Sequence, residues 1–184
     1  MLEGKQVRLR AFDAGEVEPN YRWFNDREVT RYLAIGYPVS RAYEAQFLER
    51  RASDGNSFAN GVGLAIEAKE SGAYIGNVGI HDPHAEHRTA TLGIAIGEKD
   101  YWANGYGSDA IVTLLRFAFA QMNLNRVSLH VFDFNERAIA CYKKCGFEIE
   151  GRLRENYFGE GAYHDVIVMA VLRDEFDALH GVVS

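Results

Sequence analysis

Cysteine is scarce in this chain: Cys141 and Cys145 are the only two among 184 residues. They sit four apart in one helical pattern, so no disulfide framework is expected and a cytoplasmic location is favoured. With no second ligand pair nearby they make a poor zinc site, and no metal is expected. Long apolar runs are also missing. Nothing approaches the roughly 18 to 20 residues that span a bilayer, and Met1-Leu2-Glu3-Gly4-Lys5 lacks the apolar core of a secretion signal, so no membrane role is expected. Positive charge is in deficit, with 20 Lys and Arg against 26 Asp and Glu and a net charge of −6. No clustered basic face offsets this, which weighs against binding nucleic acid phosphates. A Gly-x-x-x-x-Gly-Lys-Ser/Thr loop is absent, so a nucleotide P-loop is unsupported. No internal repeat, low-complexity tract or linker interrupts the chain, and one domain over residues 1–184 is expected.

What is present is a regular alternation of extended and helical patterns. Val7-Arg8-Leu9-Arg10 alternates as an opening strand. Asp13 to Asn25 reads as a helix with Pro19 in or near its first turn, and Glu28 to Leu33 as a short second one. Ser40 is a good N-cap for a helix carrying Tyr43, Phe47 and Leu48 on one face. From Val62 the period becomes two. Val62, Leu64 and Ile66 alternate, Lys69-Glu70-Ser71-Gly72 supplies a turn, and Tyr74 to Ile80 returns as the second arm of a hairpin. Asp82 to His87 reads as a polar loop and Thr89 to Ile96 as the next strand. Ile111, Leu114, Leu115, Ala118 and Met122 then mark one face of a helix starting near Asp109. Val127 to Phe132 is a strand, Asn135 caps a helix through Cys145, and Gly146 suits its left-handed end. Phe147 to Arg152 and Val166 to Leu172 close the chain as strands. The order predicts an α+β fold: a mixed, mostly antiparallel central sheet of six to seven strands flanked by helices.

Two units bear chemistry. The first is Tyr101-Trp102-Ala103-Asn104-Gly105-Tyr106-Gly107-Ser108, a glycine-bearing turn between a strand and a helix. Free N–H groups and the positive end of a helix dipole at such a start attract phosphate. Gly105 and Gly107 alone are weak evidence, because glycine doublets occur in many turns. A Rossmann reading suffers, since the third glycine of that fingerprint is missing. The second unit, Asn135 to Phe147, sets Asn135 at a helix start and Tyr142 two turns later. A phenol with a pKa of about 10 is protonated at neutral pH and can donate as charge develops on a leaving group.

In Asn135-x-x-Ala138-x-x-x-Tyr142-x-x-x-Gly146-Phe147, taken with the preceding loop, the chain resembles the GCN5-related N-acetyltransferase (GNAT) superfamily. It is most similar to the RimJ/RimL-type and related spermidine acetyltransferases through Tyr101-Trp102-x-x-Gly105-Tyr106-Gly107, Glu150 to Arg154, and Gly161 to Asp165 with Met169. The resemblance runs from about Val7 to Phe176. It implies transfer of acetyl from acetyl-CoA to an amine by direct attack, with no metal and no covalent enzyme intermediate. The acceptor would be a peptide N-terminus, a polyamine or another small amine. Antibiotic acetylation and a non-catalytic acyl-CoA sensor stand as alternatives. Relatives are often dimers, which implies a homodimer by analogy.

The resemblance also implies roles. Ile94, Ala95 and Ile96 would bond the pantetheine arm through backbone groups. Trp102, Ala103, Asn104, Gly105, Tyr106, Gly107 and Ser108 would offer N–H donors to the pyrophosphate. Asn135 and Ala138 would accommodate pantetheine, Lys144 would approach the nucleotide end, and Tyr142 would protonate the leaving thiolate. One position departs: Thr91 stands where relatives often carry a Glu that deprotonates the amine. His81, Asp82, Glu86 and Asp26 are alternative bases that the sequence leaves unranked. Removing the proton at pH 7 costs about 1.4 kcal/mol for an α-amine of pKa about 8 and roughly 4.6 for a lysine-like amine, which tilts the acceptor towards a low-pKa amine. His81, His84 and His87 read as loop residues rather than metal ligands, and Cys141 as packing. Trp23 and Phe24 are open between an acceptor cleft and the core.

Overall fold

The computed structural model describes residues 1–182 apart from 36, 37, 55, 56 and 58. Eight strands form one sheet in the order β1-β2-β3-β4-β5-β6-β8-β7. They are β1 (Leu2–Glu3), β2 (Val7–Arg10), β3 (Val62–Ala68), β4 (Tyr74–His84), β5 (Thr89–Ile96), β6 (Arg126–Phe132), β7 (Glu148–Gly159) and β8 (Ala162–Leu172). The helices are α1 (Val17–Phe24), α2 (Arg27–Thr30), α3 (Arg41–Asp54), α4 (Tyr106–Ala120), α5 (Glu136–Lys144) and α6 (Arg173–His180). The α+β expectation holds, with eight strands rather than six or seven. The short β1 and the closing helix α6 have no counterpart in the sequence reading. Among the described residues no helix is long and apolar enough to cross a membrane.

All neighbouring strands are antiparallel except β5 and β6, which pair in parallel over only three residues, Thr89–Thr91 with Arg126–Ser128. Beyond Thr91 the two strands part, while β5 stays paired to β4 through Gly76↔Ile96. A sheet that splits along one seam leaves backbone groups of β5 facing the gap, and those groups need other partners.

One face of the sheet packs on α4. Ile66, Ile80, Leu114, Leu115 and Phe119 are fully buried there with Val78, Leu92 and Ile111. Burial at about 25 cal/mol per Å² makes this apolar face the main stabiliser of the fold. The helix begins at Tyr106, three residues earlier than the apolar periodicity suggests, because Gly105 adopts φ 89° as its N-cap. Asp109 ties the chain start to this helix: its carboxylate accepts from the N–H groups of Lys5 (3.0 Å), Gln6 (2.6 Å) and Val7 (2.9 Å).

On the other face β3 is buried almost throughout, not in alternation, because α1 and α3 cover that side too. Here Gly63 pairs with Gly79 and Gly79 with Gly93. This row of three glycines crosses three adjacent strands and leaves a floor without side chains. Ser40 caps α3 as expected, its Oγ accepting from Tyr43 N–H at 3.1 Å. The inward residues of α3, however, are Glu44, Phe47, Leu48 and Arg51, while Tyr43 is exposed. The predicted end of this helix at Ser53 to Asn56 falls partly outside the described residues; α3 runs to Asp54. The anticipated loop from Asp82 is also shorter, since β4 continues to His84 through an irregularity after His81, with Asp82 at φ 49°.

Candidate active site

The gap between β5 and β6 opens into a cavity of about 1030 Å³. It is walled by β4, β5 and β6, the start of α4, and α5, and it extends under α2 and α3. The volume reaches the upper end of the range of small-molecule sites, roughly 300–1,000 Å³.

Local sequence explains how each wall is placed. The first N–H groups of α4 have no carbonyl one turn earlier to bond to, and no side chain caps this helix. They open at the cavity edge formed by Gly105, Gly107 and Ser108. A Cβ at Gly107 would meet only Ile96 Cγ1, at 3.8 Å, so the glycine leaves open space beside those donors. Trp102 folds back so that its Nε1–H donates to Ile96 O at 2.7 Å, and Arg137 lies 4.1 Å above its ring. A helix start with free donors beside Arg137 and Lys144 suits a phosphate-bearing ligand, and the unpaired length of β5 suits an extended amide-bearing arm.

Helix α5 carries the second set. Asn135 Oδ1 accepts from Ala138 N–H at 3.2 Å, fixing the helix start. Tyr142 then projects into the cavity wall, its ring edge-on to Phe147 at 5.9 Å. Burial pushes its phenol well above the usual value, with smaller contributions from Cys141 and Cys145. The hydroxyl has no hydrogen-bond partner among the described residues, so it is a protonated donor free to serve a ligand.

Of the residues singled out from sequence, Ile94, Ala95, Ile96, Trp102, Ala103, Gly105, Gly107, Ser108, Asn135, Ala138, Tyr142 and Lys144 line this one cavity. Two do not. Asn104 is exposed and its Nδ2 donates to Asp100 O at 3.1 Å. The Tyr106 ring turns inward against Tyr101, with 4.9 Å between centroids; only its backbone belongs to the helix start.

Among the four base candidates, only His81 lines the cavity. Asp82 and Glu86 are exposed, and Asp26 caps α2 through Glu28 N–H (2.9 Å) and pairs with Lys99 (2.9 Å). Thr91 is the cross-strand partner of His81, so histidine stands on the neighbouring strand at the level of Thr91. His81 is held below the usual histidine range, first by burial and then by Arg51, with Asp82 opposing.

Trp23 is core: it is 3% exposed, donates to Glu98 at 3.2 Å and lies over Gly97. Phe24 faces the cavity. His84 and His87 stack at 4.1 Å in an exposed turn with Glu86, apart from His81. Cys141 is in the cavity wall as well as packed beside Cys145. Sequence reasoning missed Arg51, Asn77, His130 and Arg137, which also line the cavity. They lie on four different elements, and no local pattern connects them.

The chain resembles known proteins over most of its length. The chain is 31% identical over 180 residues to spermidine N(1)-acetyltransferase of Escherichia coli K12, covering 98% of this chain and 93% of that protein. It is 26% identical over 181 residues to the uncharacterized N-acetyltransferase YoaA of Bacillus subtilis, covering 94% and 97%. The crystal structure of spermidine N-acetyltransferase from Vibrio cholerae in complex with CoA and spermine superimposes with a TM-score of 0.82 at 27% identity, covering 93% of this chain and 98% of that one. A family model described as "Acetyltransferase (GNAT) domain" matches residues 6–148. With that match spanning most of its length and its split sheet closing on a helix start and a tyrosine, this chain belongs to the GNAT acetyltransferase family.

Proposed function

We propose that this N-acetyltransferase, whose co-substrate is acetyl-CoA, carries out transfer in the β5/β6 gap with Tyr142 as general acid. The observation that carries this reading is the meeting of three features in one cavity: unpaired β5 backbone, uncapped α4 donors and the unpartnered Tyr142 hydroxyl. Acetyl-CoA supplies an activated acyl group on a thiolate leaving group. The chain's own residues do the rest. The N–H groups of Tyr106, Gly107 and Ser108 hold the pyrophosphate, with Trp102, Ala103, Asn104 and Gly105 shaping the turn before them. Ile94, Ala95 and Ile96 bond the arm along the strand edge, and Lys144 and Arg137 add positive charge.

Asn135 fixes α5, and Ala138 keeps its near face small. An amine that has lost its proton attacks the thioester carbonyl directly, and Tyr142 donates its proton to the departing sulfur. A positioned acid of this type accelerates by roughly 10²–10⁴, so Tyr142→Phe should lower kcat by that order while acetyl-CoA affinity stays close to wild type. An unchanged kcat removes Tyr142 from the reaction. The acceptor is a low-pKa amine, because no lining carboxylate among the described residues offsets the roughly 4.6 kcal/mol needed to deprotonate a lysine-like group at pH 7.

One domain accounts for the whole chain, and a reducing cytoplasm suits the free thiols of Cys141 and Cys145. Ile149, Leu153, Phe158 and Tyr163 are exposed on the outer hairpin β7–β8, which supports a homodimer through that edge. Sedimentation at micromolar concentration should give twice the chain mass, and Phe158→Glu should return it to the monomer.

A further inference from the structure

The acceptor half of the cavity is charged with one sign. Phe12, Phe24, Tyr32 and Phe47 are among its apolar lining, Arg51 and His81 are polar groups beside Asn77 and Asn156, and no Asp or Glu lines the cavity among the described residues. An ammonium group lodged there would lose water beside a guanidinium with no carboxylate lining the cavity among the described residues, which is unfavourable.

The nearest carboxyl on the same helix face does not alter this. Glu44 lies two turns before Arg51 and lines an adjoining cavity of about 630 Å³ that shares Phe24, Ala34, Ile35 and Phe47 with the first. Its Oε2 is buried without a partner, and burial raises its pKa, favouring the neutral form.

Arg51 and His81 act as a pair of donors. Arg51 Nη2 lies 3.3 Å from His81 Nδ1. A guanidinium has no acceptor, so Nδ1 must accept and the neutral ring carries its proton on Nε2. That tautomer has no lone pair on Nε2 with which to act as a base. Nε2 reaches over the glycine floor: a Cβ on Gly93 would come within 3.1 Å of it, and one on Gly79 within 3.2 Å. Arg51 borders the same floor, its Cδ and Nη1 each 3.6 Å from a Cβ placed on Gly63. The glycine row therefore makes room for the His81 ring and the Arg51 side chain, whose donors meet above it.

We propose that the acceptor is an amine bearing an oxyanion, held by Arg51 and the Nε2–H of His81 with its apolar body against Phe24 and Phe47, and not a polycation. This deepens the transferase reading above and rests on it. Carboxylate and phosphonate groups share the required chemistry, and matched acceptors separate them.

The test is acetyl-CoA-dependent thiol release by the full chain at about pH 9, where a useful fraction of each amine is already unprotonated, with benzylamine, 4-(aminomethyl)benzoate, the corresponding phosphonate, and spermidine. At least one oxyanion-bearing amine should exceed benzylamine in kcat/KM by about tenfold or more, mainly through KM, as expected for a charge-assisted hydrogen bond. Which of the two leads identifies the anion. Arg51→Gln should bring that ratio towards one and Arg51→Lys should restore part of it, with acetyl-CoA affinity confirming that both variants are folded. Glu44→Gln should leave the ratio unchanged. Preference for spermidine, spermidine turnover that Glu44→Gln abolishes, or a ratio indifferent to Arg51→Gln would each overturn the inference. Bound acetyl-CoA with no turnover of any amine would instead overturn the transferase reading, and this one with it.

Discussion

Gly105 and Gly107 are two residues apart, yet the structure assigns them opposite effects on stability. Gly105 has φ 89°. A Cβ there costs about 1–2 kcal/mol in the left-handed region, and it would also meet Gln6 Nε2 at 2.9 Å, the movable end of a flexible side chain. For a chain of this length 1 kcal/mol corresponds to roughly 2–4 °C in Tm, so Gly105→Ala should lower Tm by about 2–8 °C. Gly107 lies inside α4 with nothing nearer than 3.8 Å to its added methyl. There alanine removes the entropic penalty of glycine, about 0.5–1 kcal/mol in a helix, and Gly107→Ala should raise Tm by up to about 4 °C.

Binding goes the other way. The methyl on Gly107 occupies the space next to the helix-start donors, and losing one charge-assisted bond there costs about 1.5–3 kcal/mol. Titration calorimetry should therefore show acetyl-CoA bound at least about tenfold more weakly by the more stable variant. If Gly107→Ala is stabilised and binds acetyl-CoA as tightly as wild type, the start of α4 is not the pyrophosphate site.

Two further predictions concern the supports of the site. Asp109→Ala removes the acceptor for three backbone N–H groups of residues 5–7 and should destabilise by about 1–3 kcal/mol in urea unfolding; a loss under roughly 0.5 kcal/mol would mean water replaces the carboxylate. His81 titrates below its unfolded value, so the unfolded chain binds more protons as pH falls through about 6.5 and the native state loses stability there. Tm measured from pH 7.5 to 5 should decline less steeply in His81→Gln than in wild type, and parallel slopes would show that His81 is not held neutral.

Much of this protein was legible without coordinates. The change of period at Val62, the glycine pair after β5, Asn135 as an N-cap and Tyr142 two turns on are local patterns. Each follows from backbone sterics, capping or side-chain spacing, and together they determined the α+β class and pointed to most of the residues that line the cavity on the α4 and α5 side. The sheet's seam was not readable, because where β5 and β6 part depends on pairing between segments far apart in the chain. The edge strand β1 and helix α6 were also missed. Two residues make too short a period for β1, and α6 follows β8 without a break, its start satisfied by Glu175 accepting from Leu172 N–H at 2.9 Å.

The acceptor side was least legible of all. Gly63, Gly79 and Gly93 each look like ordinary strand glycines until antiparallel register lines them up. Arg51 and His81 are 30 residues apart and meet only because α3 folds across that row. The proposed donor site is thus written in contiguous stretches, since a helix start and a strand edge are local devices. The proposed acceptor site exists only once register and helix packing have brought separate segments onto one floor.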